Sequence, residues 1–188
     1  EPAYCAIDAQ GNLWVANAYG ANVTEYLYGS KKPHAVISKG VVYPLGVAFD
    51  TSGNLYIGNF SFTSEHGVEN VVVYAPGSKS PSRTITNGIT SPDGLAVDSN
   101  GILYVANLYE NNVVEYRSGQ SDPFQTITEA MDHPGGLTVD KKGSLYVSNI
   151  GNSTVVKFAP GSLTPMKWQI SKGLDGPEGI SHYPALLP

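Results

Sequence analysis

Carboxylates, histidines, one thiol and a set of aromatic residues are where chemistry could reside in this chain. Four aspartates, Asp8, Asp50, Asp98 and Asp140, each stand three residues before a glycine (Gly11, Gly53, Gly101, Gly143). That spacing is turn chemistry: the carboxylate bonds local amides and glycine supplies a positive φ, so the four read as structural. Asn17, Asn59, Asn107 and Asn149 recur with the same regularity. A residue present in every unit maintains geometry more readily than it performs one localised step. Asp93 and Glu178 differ, because each follows an opening proline whereas the matching positions hold Ala3, Leu45 and Gly135. Tyr19, Tyr43, Phe60, Phe62, Tyr109 and His133 fall in variable connections. Flat rings there favour contact with a sugar or a peptide, since they bury area at little entropic cost. His34, His66 and His182 have no His or Cys partner at metal spacing, and no Ser/His/Asp order, glycine-rich phosphate loop or zinc motif occurs. Cys5 alternates inward in an apolar stretch and is expected to be a small buried filler.

The elements that must position these residues come from a fourfold repeat. It opens as Pro2-Ala-Tyr-Cys-Ala-Ile-Asp8, Pro44-Leu-Gly-Val-Ala-Phe-Asp50, Pro92-Asp-Gly-Leu-Ala-Val-Asp98 and Pro134-Gly-Gly-Leu-Thr-Val-Asp140. After the turn glycine comes a second run ending in the recurrent asparagine, then a third ending in Tyr26, Tyr74, Tyr116 or Phe158. A short fourth run follows a Gly-rich turn: Ala35–Ile37, Arg83–Ile85, Gln125–Ile127, Trp168–Ile170. Opening prolines are spaced by 42, 48, 42 and 43 residues, the last reaching Pro177. Runs of four to six β-branched and aromatic residues bounded by turn signals read as strands, and no segment carries a helical period. Four antiparallel strands per repeat of this length is the dimension of one β-propeller blade, which makes the chain all-β. The blades are expected at 2–42, 44–90, 92–133 and 134–175, within a single propeller domain spanning 1–188 or part of one. Residues 177–183 supply only the first strand of a fifth. That leaves three closures open: a four-bladed ring with a loose tail, a piece of a longer propeller, or a strand lent to another subunit. The tail is expected to pack on β-structure outside the four blades, because its apolar residues would otherwise be left exposed. The second repeat is lengthened by an insertion at 60–69, where added specificity is expected, and deleting it is expected to leave the fold intact.

Composition narrows the function classes. The 188 residues are 41% hydrophobic and 14% charged, with 11 Lys+Arg against 16 Asp+Glu, net −5, and no basic block. A surface that tracks nucleic-acid phosphates is not expected on that charge, and no apolar run is long enough to span a membrane as a helix. Glu1-Pro2-Ala3-Tyr4 is not the start of a signal peptide, so an exported form would already have lost its leader. Sequons at Asn22, Asn59 and Asn152 mark expected glycosylation sites, and with the Gly, Asn, Ser, Thr and Tyr content they tilt toward an extracellular or periplasmic setting.

The pattern Pro-x-Gly-Leu/Val-Ala-x-Asp-x-x-Gly-x-Leu-Tyr-Val-Ala-Asn resembles the NHL repeat and the related senescence-marker-protein/gluconolactonase propellers over almost the whole chain. The resemblance implies a propeller, commonly six-bladed in those families. In the gluconolactonase-like group a divalent cation, Ca²⁺ or Mg²⁺, sits at the channel mouth. Asp93 in Pro92-Asp93-Gly94 matches one of the group's ligand segments and Glu178 is a second candidate ligand, but Ala3, Leu45 and Gly135 leave the constellation incomplete. Two functions follow as expectations. One is a non-catalytic module presenting a rigid face or open edge to a protein or glycan partner, with self-association through the C-terminal strand. The other is a metal-dependent lactonase-like hydrolase.

Overall fold

The computed structural model describes residues 1–61 and 67–181. Among them there are strands and turns but no helix, and none of the elements is a helix long and apolar enough to cross a membrane. The first sheet comprises β1 (Pro2–Ile7), β2 (Leu13–Asn17), β3 (Asn22–Tyr26) and β4 (Ala35–Ile37). The second holds β5 (Pro44–Phe49), β6 (Leu55–Asn59), β7 (Asn70–Tyr74) and β8 (Arg83–Ile85). The third holds β9 (Pro92–Val97), β10 (Leu103–Asn107), β11 (Asn112–Tyr116) and β12 (Gln125–Ile127). The fourth holds β13 (Pro134–Val139), β14 (Leu145–Asn149), β15 (Thr154–Phe158) and β16 (Pro165–Ile170). Each sheet is a four-stranded antiparallel meander in chain order, the form of a propeller blade. β16 begins three residues earlier than the other outer strands suggest, at Pro165, which pairs with Phe158 across an irregular register.

The blades stack through alternate residues of each strand. The face of the first blade that carries Ala16, Val23 and Ile37 meets Val47, Leu55, Ile57 and Tyr74 of the second. Equivalent positions form the second–third and third–fourth contacts. Every innermost strand bulges just after its opening proline, so that its second and third residues oppose a single residue of the neighbouring strand. Glycine is required at that third position in the second, third and fourth blades: a Cβ on Gly46 would collide with the Asp93 carbonyl oxygen, and one on Gly94 with that of Gly135. Gly136 meets the Glu178 carbonyl oxygen in the same way. Residues 177–180 therefore lie against the fourth blade as β9 lies against the second.

One expectation needs correction here. Cys5 is exposed, not buried. Its equivalents Val47, Leu95 and Leu137 are 6–7% exposed because a preceding blade covers them, and the first blade has none before it. The described tail, to residue 181, packs on its own chain through Gly136, Ser148 and Tyr4. Tyr183, Leu186 and Leu187, together with His182, lie outside the described residues.

Candidate functional site

Antiparallel meanders send the connections to two opposite faces. The Asp-x-x-Gly turns and the Gly-rich turns before each outer strand share one, the turn face. The loops between second and third strands and the loops entering each new blade share the other, the loop face. The recurrent asparagines fix the loop face. Asn59 accepts the Val42 amide at 2.9 Å and donates to the Gly40 carbonyl, also at 2.9 Å. Asn107 does the same with Thr90 and Gly88, and Asn149 with Asp132 and Ala130. The residue after each asparagine adds a backbone bond: Phe60 to the Tyr43 carbonyl, Ile150 to that of His133. Two loops from successive elements are thereby held as one rigid rim.

On that rim five of the six expected aromatic and histidine positions meet in sequence. Ring centroids are 5.4 Å apart for Tyr19 and Tyr43, 6.4 Å for Tyr43 and Phe60, 5.9 Å for Phe60 and Tyr109, and 6.3 Å for Tyr109 and His133. The arc joins all four blades' loops and consists of tilted and edge contacts, the geometry aromatic quadrupoles favour. Tyr19, Tyr109 and His133 are the exposed members, the two tyrosines at 71% and 52% and in equivalent positions of the first and third blades. Phe60 is buried against Tyr43 and Tyr109, so deleting 60–69 would remove a packed residue. Phe62 and His66 lie outside the described residues. His133 has φ +52° and its Nδ1 is 3.1 Å from the Asp132 carboxylate. Ser91 and Gly176, which also precede inner-strand prolines, share that left-handed backbone, so it belongs to the turn.

A second cluster occupies the axis. Asp93, at the inner-strand bulge, is buried, and desolvation raises its carboxyl to about 6, opposed by the Tyr4 hydroxyl and helped by the charge of Glu178. The Tyr4 hydroxyl donates to the Glu178 carbonyl at 2.9 Å and lies beside Asp93, and burial pushes its own pKa far up. Sequence reasoning missed Tyr4. The signal was available, since Tyr4 stands where every other inner strand has glycine.

Residues 46–169, more than half of the chain, match the family described as the SMP-30/Gluconolactonase/LRE-like region. The chain belongs to that family. No curated protein matches this family member in sequence. Among solved structures, Kuenenia stuttgartiensis hydrazine synthase aligns with a TM-score of 0.72 at 20% identity, over 88% of this chain and 48% of that one. The structure of U3-55K and the RRP9 WD40 repeats each align with a TM-score of 0.73 at 14% identity, over 88% of this chain and 50% of theirs. These likenesses are of fold, and the chain spans about half the length of each.

The family raises the question of a cation. Ca²⁺ takes roughly six to eight oxygen ligands. Among the described residues no group of three His, Cys, Asp or Glu side chains could hold a metal. Asp93 and Glu178 approach each other, but Ala3, Leu45 and Gly135 bring no side-chain oxygen to the ring. The donor set at this axis does not by itself fit such an ion.

The three sequons also separate. Asn59 is fully buried and its amide donates to Gly40 and Asn70, which leaves no place for a glycan in the folded protein. Asn152 is exposed and Asn22 half-buried.

Proposed function

We propose that this protein is a binding module that presents the rim of its loop face to a protein or glycan partner. The observation that supports this reading is the aromatic arc. Rings from four blades are in contact while Tyr19 and Tyr109 stay open to solvent, and an edge-locked aromatic platform loses little entropy on binding. In this reading Tyr43, Phe60 and His133 fix the platform. The setting is extracellular or periplasmic, with Asn22 and Asn152 as the accessible sequons. A second reading, a lactonase-like hydrolase using Asp93 and Glu178 with Ca²⁺, draws on the family and on the proximity of those two carboxylates. The incomplete donor set places it second.

The test screens immobilised glycans and peptides against the protein and a Y19A/Y109A variant. Both substitutions are at exposed positions, so thermal stability should hold while any specific binding falls at least tenfold. D93N should bind as the parent does. Binding unchanged by the double substitution would overturn the reading. Hydrolysis of a chromogenic lactone that Ca²⁺ stimulates and D93N abolishes would put the second reading in its place.

A further inference from the structure

On the turn face, the first residue of each outer strand looks across to the Gly-rich turn of the following blade. Between the second and third blades that residue is Arg83. Its Nη1 donates to the Gln120 carbonyl at 3.1 Å, and its guanidinium lies beside the Tyr56 hydroxyl, which donates to Asp50 at 3.2 Å. Between the third and fourth blades it is Gln125, whose Nε2 donates to the Gly161 carbonyl at 3.4 Å. Between the first and second blades it is Ala35, too short to bridge, and a cleft of about 360 Å³ opens there.

The surroundings of Arg83 recur around this cleft without a guanidinium. Asp8 takes the place of Asp50, Trp14 that of Tyr56, and Ser78 that of Gln120. Burial acts to raise the Asp8 carboxyl, but hydrogen bonds from Trp14, Asn12 and Gln10 outweigh it and hold it below the usual range, so Asp8 is ionised. Glu25 adds a second carboxylate where the second blade has Val73, and receives one long bond, 3.5 Å, from Asn12 Nδ2. Trp14 and Phe49, edge to face at 5.6 Å, form the apolar wall. Lys79, at the rim, is exposed.

We propose that this cleft is a receptor for a guanidinium group of the arginine type. A planar fork can reach a turn carbonyl and a carboxylate together while lying against an indole, which a compact ammonium does less well. The volume is in the range that holds small ligands, roughly 300–1,000 Å³. A net charge of −5 favours a cationic ligand. The site lies on the face opposite the aromatic arc and does not depend on the function proposed for that arc.

Calorimetry with Nα-acetyl-L-arginine methylamide tests it, with free L-arginine and the citrulline analogue as further arms. Saturable one-to-one binding of the capped arginine is expected, at least tenfold weaker for citrulline, whose neutral urea keeps the shape without the charge. Binding of the capped form at least as tight as that of L-arginine identifies a peptide side chain as the source, and the reverse identifies the free amino acid. E25Q should weaken binding at least fivefold. A35R should abolish it and raise the melting temperature, because the protein then supplies its own guanidinium as Arg83 does one blade on. No heat from either arginine probe, equal affinity for citrulline, undiminished binding by A35R, or an A35R chain that does not fold would each overturn the proposal.

Discussion

Asp98 accepts the amides of Asn100 and Ile102 at 2.9 and 2.8 Å, and Gly101 between them has φ +78°. Removing the carboxylate strands two N–H groups in a tight turn, so D98A should lower stability by about 1–3 kcal/mol in chemical denaturation. Loop-face binding should be untouched, since the turn lies on the opposite face. Glu115 presents a different case, buried between strands where sequence gave no warning. Desolvation raises its carboxyl to about 7, the Gln125 amide opposes the rise, and the Asp98 charge adds to it. An acid whose folded pKa lies above its unfolded value binds more protons when folded, so stability falls as pH rises from about 4.5 to about 7 and then levels off. E115Q should flatten that slope and be the more stable protein at pH 8, by on the order of 2–3 kcal/mol. A slope that persists in E115Q would assign it to another group. Asp98 was readable because its role is local and repeated. Glu115 was not, because its protonation is set by burial and by Gln125 and Asp98, which the fold brings to it from other parts of the blade.

At the scale of elements, strand positions followed from alternation and turn chemistry because each blade is a meander whose pairing partners adjoin in sequence. What sequence left unseen were the ties between successive blades, which join residues 17 to 35 apart. The Tyr74 hydroxyl donates to the Lys39 carbonyl at 2.5 Å and Tyr116 to the Asn87 carbonyl at 2.6 Å. Phe158 fills the same position without a hydroxyl. The asparagine clips act alongside these latches. Asn107 bonds Thr90, Gly88 and Asn112 from a fully buried position. N107A should therefore cost about 1–3 kcal/mol and speed amide exchange in residues 87–91 ahead of the rest of the third blade. Exchange that rises equally throughout the chain would show that the asparagine supports the blade as a whole and not the loop it touches.

For the whole molecule, stability is set by which blade faces are covered. β6 and β10 are buried along their full length, with a blade on either side. β1 and β16 are largely exposed: Ile7 is 66% open at one end of the stack and Trp168 41% at the other. In a stack held mainly by nearest-neighbour interfaces, opening an end costs one interface and opening the middle costs two. Binary pattern cannot reveal this, since Cys5 and Leu95 carry the same alternation and only the presence of a neighbour separates them. Hydrogen exchange of the 188-residue chain should accordingly show slowest exchange in β6 and β10 and fastest in β1 and β16. The inner-strand glycines give the means to test the cause. G94A forces a methyl group into the Gly135 carbonyl and separates the third blade from the fourth. If interfaces set the order, β9 and β10 should then exchange at the rate of an end blade while β6 keeps most of its protection. Equal protection of all four blades before the substitution, or equal loss after it, would mean that the chain opens as one cooperative unit.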